Sequence, residues 1–161
     1  MKYYIIEKKL SMSDTFMIKN SYGEDIYIVK GSMWPIIPRY HVKDSMGNIK
    51  ATIRRRFSLI IPKYDVFIDG ERKVTVKRKL ALSDNYSVDG VDWDVVGDFT
   101  AHDYRMIDSQ GNIIMYLTKK KNVWGDNYEL DVTGDVNFLL SLGISLSIVV
   151  INQLLRRMRN D

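Results

Sequence analysis

Twenty consecutive residues near the C-terminus, Val136 to Leu155, carry no formal charge and are followed directly by Arg156 and Arg157. At a rise of about 1.5 Å per residue, such a segment makes a helix of roughly 30 Å, long enough to cross a bilayer or to run the length of a small domain. A helix that is apolar on every face must be buried on every face. The fold of the chain therefore depends on what surrounds this segment.

The remainder of the chain, residues 2–133, has the period-two pattern of β-strands. Short runs of aromatic and β-branched residues are separated by turn dipeptides such as Asp69-Gly70, which predicts antiparallel hairpins. Val74, Val76 and the stem of Arg78 face one side of their run, whereas lysines face the other. About twelve strands are predicted, centred on Tyr3–Ile6, Thr15–Lys19, Ile26–Lys30, Tyr40–Lys43, Ile49–Phe57, Lys63–Ile68, Arg72–Lys79, Tyr86–Val88, Asp92–Val96, His102–Ile107, Ile113–Lys120 and Asn127–Val132.

Composition limits the class of protein. The chain has 161 residues, of which 45% are hydrophobic and 27% charged, values that are ordinary for a globular protein. The absence of cysteine excludes disulfides, thiolate zinc sites and cysteine nucleophiles. The apolar run before Glu7 is too short for the core of a signal peptide. We expect one cytoplasmic domain over 1–161, with strands in 2–133 and the central helix over 135–156.

A closed barrel accommodates this helix better than the alternatives. A sandwich leaves no place for a helix that needs cover on all sides, whereas a barrel of eleven or more strands has room for one. A C-terminal membrane anchor is the structural alternative, because the length and the basic flank suit it, but it would leave a wide barrel empty. We therefore predict a mainly β fold, a closed antiparallel barrel of about twelve strands that encloses the C-terminal helix. Asp135 is expected to cap the helix start.

The chain also contains an internal repeat. The string DSMGNI begins at Asp44 and DSQGNI begins at Asp108, an offset of 64 residues that also relates Tyr40 to Tyr104. Each copy reads as a strand, a Gly-Asn turn, a strand that ends in a basic run, and a third strand. A duplicated unit that closes on its copy gives a barrel without exposed edges.

Several of these motifs, taken in order, resemble the LURP-one-related proteins of the tubby C-terminal-like superfamily, in particular their bacterial YxjI type. They are IYIVKG at Ile26, the two repeated hairpins with their basic strand ends, YDVFIDG at Tyr64 and the apolar C-terminal helix. The resemblance implies a twelve-stranded antiparallel barrel around a central hydrophobic helix. It also implies a relation to phospholipid scramblases and to phosphoinositide-binding tubby domains, but no lipid-binding position of those proteins can be aligned to this chain.

Catalytic and metal-binding patterns are weak. The imidazoles are those of His41 and His102, and His102-Asp103 is a conceivable base and orienting group, although a solvated strand histidine is the simpler interpretation. The acidic segment Asp84 to Asp103 lacks the spacing of an EF-hand loop, so a charged outer face with Trp93 in the core is favoured. We expect no enzymatic activity, no cofactor and no metal site.

The basic residues point to an anionic ligand. Lys50, Arg54, Arg56, Lys77 and Lys79 lie on predicted strands, and together they would attract phospholipid head groups, although lysines on a solvated barrel wall are the plain alternative. Binding of nucleic acid ranks below binding of lipid. The favoured function is a non-enzymatic binding or scaffold module, peripheral at the membrane. The alternatives are a protein-interaction module and a Ca²⁺-dependent, scramblase-like lipid protein.

Overall fold

The computed structural model describes residues 1–10, 13–32, 38–58, 61–79, 86–98, 101–123, 125–134 and 136–160. They form a closed antiparallel barrel in which each strand pairs with its neighbours in the chain and the last strand pairs with the first. The strands are β1 Lys2–Leu10, β2 Ser13–Asn20, β3 Asp25–Gly31, β4 Arg39–Lys43, β5 Ile49–Arg56, β6 Lys63–Ile68, β7 Glu71–Arg78, β8 Tyr86–Asp89, β9 Trp93–Asp98, β10 Asp103–Asp108, β11 Ile113–Asn122 and β12 Gly125–Val132. The predicted barrel of twelve strands is confirmed.

The helix α1, Phe138–Asn160, fills the interior of the barrel. Its central residues from Ser141 to Ile151 are all buried, as the uncharged sequence predicts. The helix starts later and ends later than the predicted 135–156. Asn137 caps it, because its side-chain oxygen accepts a hydrogen bond from the amide of Leu140 at 3.1 Å. The predicted cap, Asp135, lies outside the described residues.

The direction of the helix gives the barrel two distinct ends. At the entry end, the ring of Phe138 lies 4.1 Å from that of Tyr3 and 6.1 Å from that of Tyr27. At the exit end, Asn152 is hydrogen-bonded to Tyr86 and Tyr104, and the basic last turns of α1 emerge into solvent.

Strand alternation lines the barrel with apolar side chains. On β5, Ala51 and Ile53 point inward and are buried, while Lys50, Thr52 and Arg54 lie on the outer face. Two serines of the helix are satisfied within it, since the hydroxyls of Ser145 and Ser147 donate to carbonyls four residues earlier. By length and composition α1 could cross a membrane, but the core helix of a barrel has the same properties. Here the sheet covers it.

The repeat seen in the sequence is a structural repeat. In both hairpins the carboxylate oxygen of the first aspartate, Asp44 or Asp108, accepts the backbone amide of the asparagine four residues later at 2.9 Å. Gly47 and Gly111 both have a φ of 83°, which favours glycine. The register shift after Val42 in the β4–β5 pair recurs after Met106 in the β10–β11 pair. The two units occupy opposite sides of the ring of strands.

Gly143 tests how tightly the barrel closes around the helix. A Cβ atom at this position would lie 2.5 Å from Cγ1 of Val66, and overpacking of a core costs about 1–3 kcal/mol. We expect this cost to exceed the helix-propensity gain of about 1 kcal/mol for alanine over glycine. Gly143→Ala should therefore lower the free energy of unfolding by about 1 kcal/mol, measured by urea denaturation.

The matched control removes the Cγ1 methyl group of Val66, which the new Cβ would contact. In a Val66→Ala background, Gly143→Ala should therefore be neutral or stabilising. An equal loss of stability in both backgrounds would show that the helix and β6 are not in direct contact at this point.

Candidate anionic-ligand site

The structure brings four of the five predicted basic residues to one part of the barrel. Arg54 and Arg56 lie near the exit end of β5, Lys77 lies near the exit end of β7, and Lys79 follows β7 directly and is exposed. Lys50 lies at the opposite end of β5, roughly 20 Å from Arg56 at about 3.3 Å per strand residue. It is 3.9 Å from the carboxylate of Asp44 and is not adjacent to the other four.

Cross-strand register adds two residues to this group that the sequence analysis did not select. Lys63 on β6 is directly opposite Arg56 on one side and Lys77 on the other. Arg39 on β4 is directly opposite Arg54. We call the resulting set the outer basic cluster, namely Arg39, Arg54, Arg56, Lys63, Lys77 and Lys79.

Asp65 lies at the centre of the outer basic cluster. Only 3% of this residue is exposed, and its carboxylate accepts hydrogen bonds from Nε and Nη2 of Arg56 at 3.1 and 2.9 Å. It also accepts the hydroxyl of Thr75 at 2.6 Å. A two-pronged contact of this kind fixes the orientation of a guanidinium. Asp65 therefore holds Arg56 in place on the wall, while 40% of the Arg56 side chain stays exposed.

The outer basic cluster keeps an excess of positive charge after these contacts. Asp89 pairs with Lys77 at 3.2 Å, so that six cations face two carboxylates. The guanidinium carbon of Arg54 lies 4.9 Å from the ring centroid of Phe67, which orients it by a cation–π contact. Like charges directly opposite on neighbouring strands destabilise a sheet. The arrangement therefore carries an intrinsic cost that an anionic ligand would relieve.

The two ends of the barrel differ in charge. The hairpin turns at the entry end carry carboxylates, which are those of Glu24, Asp44, Asp69, Asp92 and Asp108. The pKa of Asp44 lies below its ordinary value because the Asn48 backbone amide donates to it, and the pKa of Asp108 is lowered in the same way, chiefly by the Asn112 side chain. The exit end carries the outer basic cluster and the arginines of α1.

Exposed apolar side chains accompany the cations at the exit end. Phe57, directly after Arg56, is 86% exposed, and Met158 on the protruding part of α1 is 65% exposed. Tyr22 and Met46 are equally exposed at the entry end, but they sit in the turns that carry carboxylates. Apolar side chains next to cations are typical of proteins that insert side chains into anionic membrane surfaces.

His102 and Asp103 do not form the base and orienting pair considered from the sequence. The Oδ1 of Asp103 accepts the hydroxyl of Thr118 at 2.9 Å, while Nδ1 of His102 faces the hydroxyl of Tyr104 at 3.4 Å and the amide of Asn152 at 3.5 Å. Contrary to the sequence-based prediction, His102 is not a strand residue. It lies in the turn before β10 with a φ of 53°, half-buried beside Tyr104 and Asn152.

The acidic segment extends over β8, β9 and the first residue of β10. Asp84 lies outside the described residues, whereas Asp92 and Asp94 are exposed and Trp93 packs partly buried against the core, as predicted. Within the described ranges, no three His, Asp or Glu side chains are placed to hold a metal ion.

An open groove of about 610 Å³ crosses the outer wall of β9 to β12. Asp98, Asp103, Glu129 and Asp131 line it together with Arg105, Lys120 and Tyr116. It lies on the side of the barrel away from β4–β7. The wall opposite the outer basic cluster is therefore rich in carboxylates.

The fold places this protein in the class of closed twelve-stranded barrels that enclose a hydrophobic helix. Basic residues gather at the end where the helix leaves the barrel. A sequence model of the LURP-one-related family matches residues 1–150. The chain belongs to the LURP-one-related family, which the sequence motifs indicated.

Two known proteins are similar to this chain over most of its length. The uncharacterized protein YxjI of Bacillus subtilis is 24% identical over 144 residues, which cover 89% of this chain and 88% of that protein. The X-ray structure of an Arabidopsis thaliana protein superposes with a TM-score of 0.65 at 17% identity, over 95% of this chain and 91% of that chain. At that identity the likeness concerns the fold alone.

Asp65 should contribute to stability as well as to orientation of the outer basic cluster. Asp65→Asn removes the charge partner of Arg56 inside a nearly buried contact, and we expect a loss of about 1–3 kcal/mol in the free energy of unfolding. The exposed side of Arg56 can hydrate, so the loss should stay below that of a fully buried pair. Asp89→Asn is the control: its side chain is 60% exposed, and its loss should be about 0.5 kcal/mol or less. Equal losses of the free energy of unfolding for Asp65→Asn and Asp89→Asn, measured by urea denaturation, would contradict the central role of Asp65.

Stability should depend on His102 below neutral pH. Its pKa is lowered by burial and then by the positive charges of Lys119, Arg156 and Arg159, so the unfolded chain binds the proton more readily than the folded protein. Stability from this group is therefore present above the unfolded pKa of about 6.5 and is lost as the pH falls through it. His102→Asn should flatten the fall of Tm between pH 8 and pH 5, because it removes the imidazole that titrates. Asparagine is chosen because it tolerates the positive φ at this position. An unchanged or steeper fall would contradict this assignment.

Proposed function

We propose that this protein is a non-enzymatic module that binds anionic phospholipid head groups at a membrane surface through the outer basic cluster. The observation that carries the proposal is the set of directly opposed like charges, Arg39 with Arg54, Arg56 with Lys63, and Lys63 with Lys77. Such pairs weaken a sheet, and Asp65 and Asp89 offset only two of the six positive charges of the outer basic cluster. A phosphate-bearing surface would neutralise the remainder.

The energetics of the surface fit this ligand. Each lysine or arginine near an anionic membrane contributes about 1 kcal/mol, and the outer basic cluster has four cations in excess of its carboxylates. Phe57 and Met158 lie exposed at the same end of the barrel, where they can enter the head-group region. The carboxylates of the entry end would be repelled, which orients the exit end toward the membrane.

A binding module is favoured over an enzyme because the helix α1 fills the interior of the barrel. α1 occupies the space that ligand-binding barrels leave open, and His102 contributes to packing at the mouth beside Tyr104 and Asn152. We propose that the protein is cytoplasmic and binds peripherally at the membrane.

Charge removal tests the outer basic cluster. Arg54→Gln, Lys63→Gln and Lys77→Gln together remove about 3 kcal/mol of attraction and should weaken co-sedimentation with vesicles of phosphatidylserine and phosphatidylcholine about 100-fold. Phe57→Ala should weaken binding by a smaller factor and leave its salt dependence unchanged, since it removes only an apolar contact.

The control removes the same charge from the entry end, by Lys2→Gln, Lys50→Gln and Lys73→Gln. We expect less than a threefold effect, because these lysines pair with Glu129, Asp44 and Glu71. This variant also tests the sequence-based inclusion of Lys50. Equal losses from both triple variants would mean that net charge alone drives binding, and binding that is insensitive to salt would refute the proposal.

The groove on β9 to β12 favours protein interaction as a second candidate. Its carboxylates, together with Tyr116, suit a basic segment of another protein. The test is whether a protein that co-purifies with the unaltered chain is lost from the double variant Asp98→Asn with Asp131→Asn. Loss of that protein, with vesicle binding retained, would support this second function. Retention of the partner by that variant would exclude the groove.

A further inference from the structure

Exposed apolar side chains are concentrated at the two ends of the barrel. Eight large hydrophobic side chains are exposed among the described residues, and only Tyr116 of these lies on the wall. The other seven are Met1, Tyr22, Met46 and Ile49 at the entry end, and Phe57, Val123 and Met158 at the exit end. Exposed apolar patches on a soluble protein mark sites of interaction. The two ends are therefore the places to look for a partner.

The entry end is negative at its outermost points. Each of its five hairpin turns carries at least one carboxylate, and none of these turns contains a lysine or an arginine. The cations of this end lie on the strands behind the turns, where Lys50 and Lys73 pair with Asp44 and Glu71. A partner that approaches along the barrel axis therefore meets carboxylates first.

Two of these turns also carry apolar side chains at their tips. Tyr22 lies in the turn between β2 and β3, and Met46 lies in the turn between β4 and β5. The two turns are neighbours, because β3 pairs with β4. The entry end thus offers an apolar patch within a negative rim.

The exit end is positive. The helix α1 ends there with Arg156 and Arg159 exposed, and Arg39 and Lys79 are exposed where β4 begins and where β7 ends. The arginines complement the negative end of the helix dipole, but their position in the last turns leaves them at the surface. The barrel axis therefore runs from a negative end to a positive end, and both ends carry exposed apolar side chains.

Charge decides which ends can meet. Two copies joined entry end to entry end would bring carboxylates together, and two copies joined exit end to exit end would bring arginines together. Like charges that face each other across an interface oppose association. The exit end of one copy on the entry end of another joins opposite charges and apolar side chains at the same time.

The ends are also large enough for a specific contact. Twelve strands that lie about 4.8 Å apart and are tilted by about 40° close into a ring roughly 24 Å across. Side chains widen each end to a disc of roughly 700 Å², and a standard protein–protein interface buries about 800 Å² per partner. One end of the barrel thus matches one side of such an interface.

We propose that copies of this protein associate head to tail, with the exit end of one copy docked on the entry end of the next. The partner at each end is therefore a second copy of this chain. The contact is heterologous, since two different surfaces meet. Because these surfaces lie at opposite ends of one axis, the contact does not close into a ring and builds linear stacks.

Stacking and the proposed membrane binding use the same end of the barrel. A free copy can present its exit end to head groups, whereas a copy inside a stack has that end covered by its neighbour. Stacking would therefore limit membrane binding to the copy at the end of a stack. Stacking needs no lipid, so it can be measured without vesicles, and either proposal can fail without the other.

Sedimentation velocity of the full chain tests the association directly. At about 50 mM salt the mean sedimentation coefficient should rise steadily with protein concentration, as it does for an open series of oligomers. At about 500 mM salt, where charges are screened within a few ångström, association should weaken at least tenfold. A monomer at every protein concentration in low salt, or a series that stops at the dimer, would overturn the proposal.

Two blocked variants test whether the contact joins different ends. Tyr22→Lys with Met46→Lys places cations on the entry end, and Phe57→Glu with Met158→Glu places carboxylates on the exit end. Neither variant should associate alone. An equal mixture should give a one-to-one complex and nothing longer, because one intact entry end and one intact exit end remain. Continued association of either variant alone, or a mixture without a complex, would show that the ends do not join in this way.

The matched control places the same cation on the wall. Tyr116→Lys should change association less than twofold, and circular dichroism checks that every variant is folded. The variant with lysines at Tyr22 and Met46 should still bind phosphatidylserine vesicles, since its exit end is intact. Equal loss of association in this wall variant and in the entry-end variant would mean that net charge, and not the entry end, governs the contact.

Discussion

Burial of one uncharged helix by a closed sheet is the constraint on which the rest of this structure depends. An apolar surface of this length cannot be left in water, and a sheet with an inward apolar face and no edges satisfies it. Gly143 lets the helix approach Val66 closely, and the hydroxyls of Ser145 and Ser147 donate to carbonyls of the helix itself. The barrel and the helix therefore stabilise each other, and neither is complete alone.

Filling the barrel in this way leaves the outer wall as the place for the proposed ligand. β5 illustrates how one strand serves both. Because side chains alternate, Arg54 and Arg56 join the outer basic cluster while Arg55 turns toward the helix exit. A run of three arginines thus divides between the outer and the inner face of the wall.

The charge distribution gives the barrel a direction. Carboxylates occupy the entry-end turns, in part because Asp44 and Asp108 shape the hairpins by accepting backbone amides. At the exit end, Arg56 is held by Asp65, Lys77 pairs with Asp89, and Arg54 packs on the ring of Phe67. Like charges on adjacent strands cost stability, a cost that the proposed anionic ligand would offset. The exposed Phe57 beside them supports the same proposal.

Much of the fold was readable in the sequence, because it depends on local alternation and on one long apolar segment. The twelve strands, the enclosed helix and the repeated hairpins follow from periodicity, turn residues and length. The start of the helix could not be predicted in this way, because the cap is set by the hydrogen bond that Asn137 accepts from the amide of Leu140. The candidate site was readable only in part: Arg54, Arg56, Lys77 and Lys79 were selected, whereas Lys63 and Arg39 were missed.

What the sequence determined by itself is the alternation of inside and outside along each strand and the need to cover the helix. Only the tertiary structure decided which strands are neighbours and in what register. Register places Lys63 between Arg56 and Lys77 and separates Lys50 from them, and the closed ring puts Arg55 across from Lys119. The physical reason is that pairing joins residues far apart in the chain, and local pattern does not record how far one strand has slid along another.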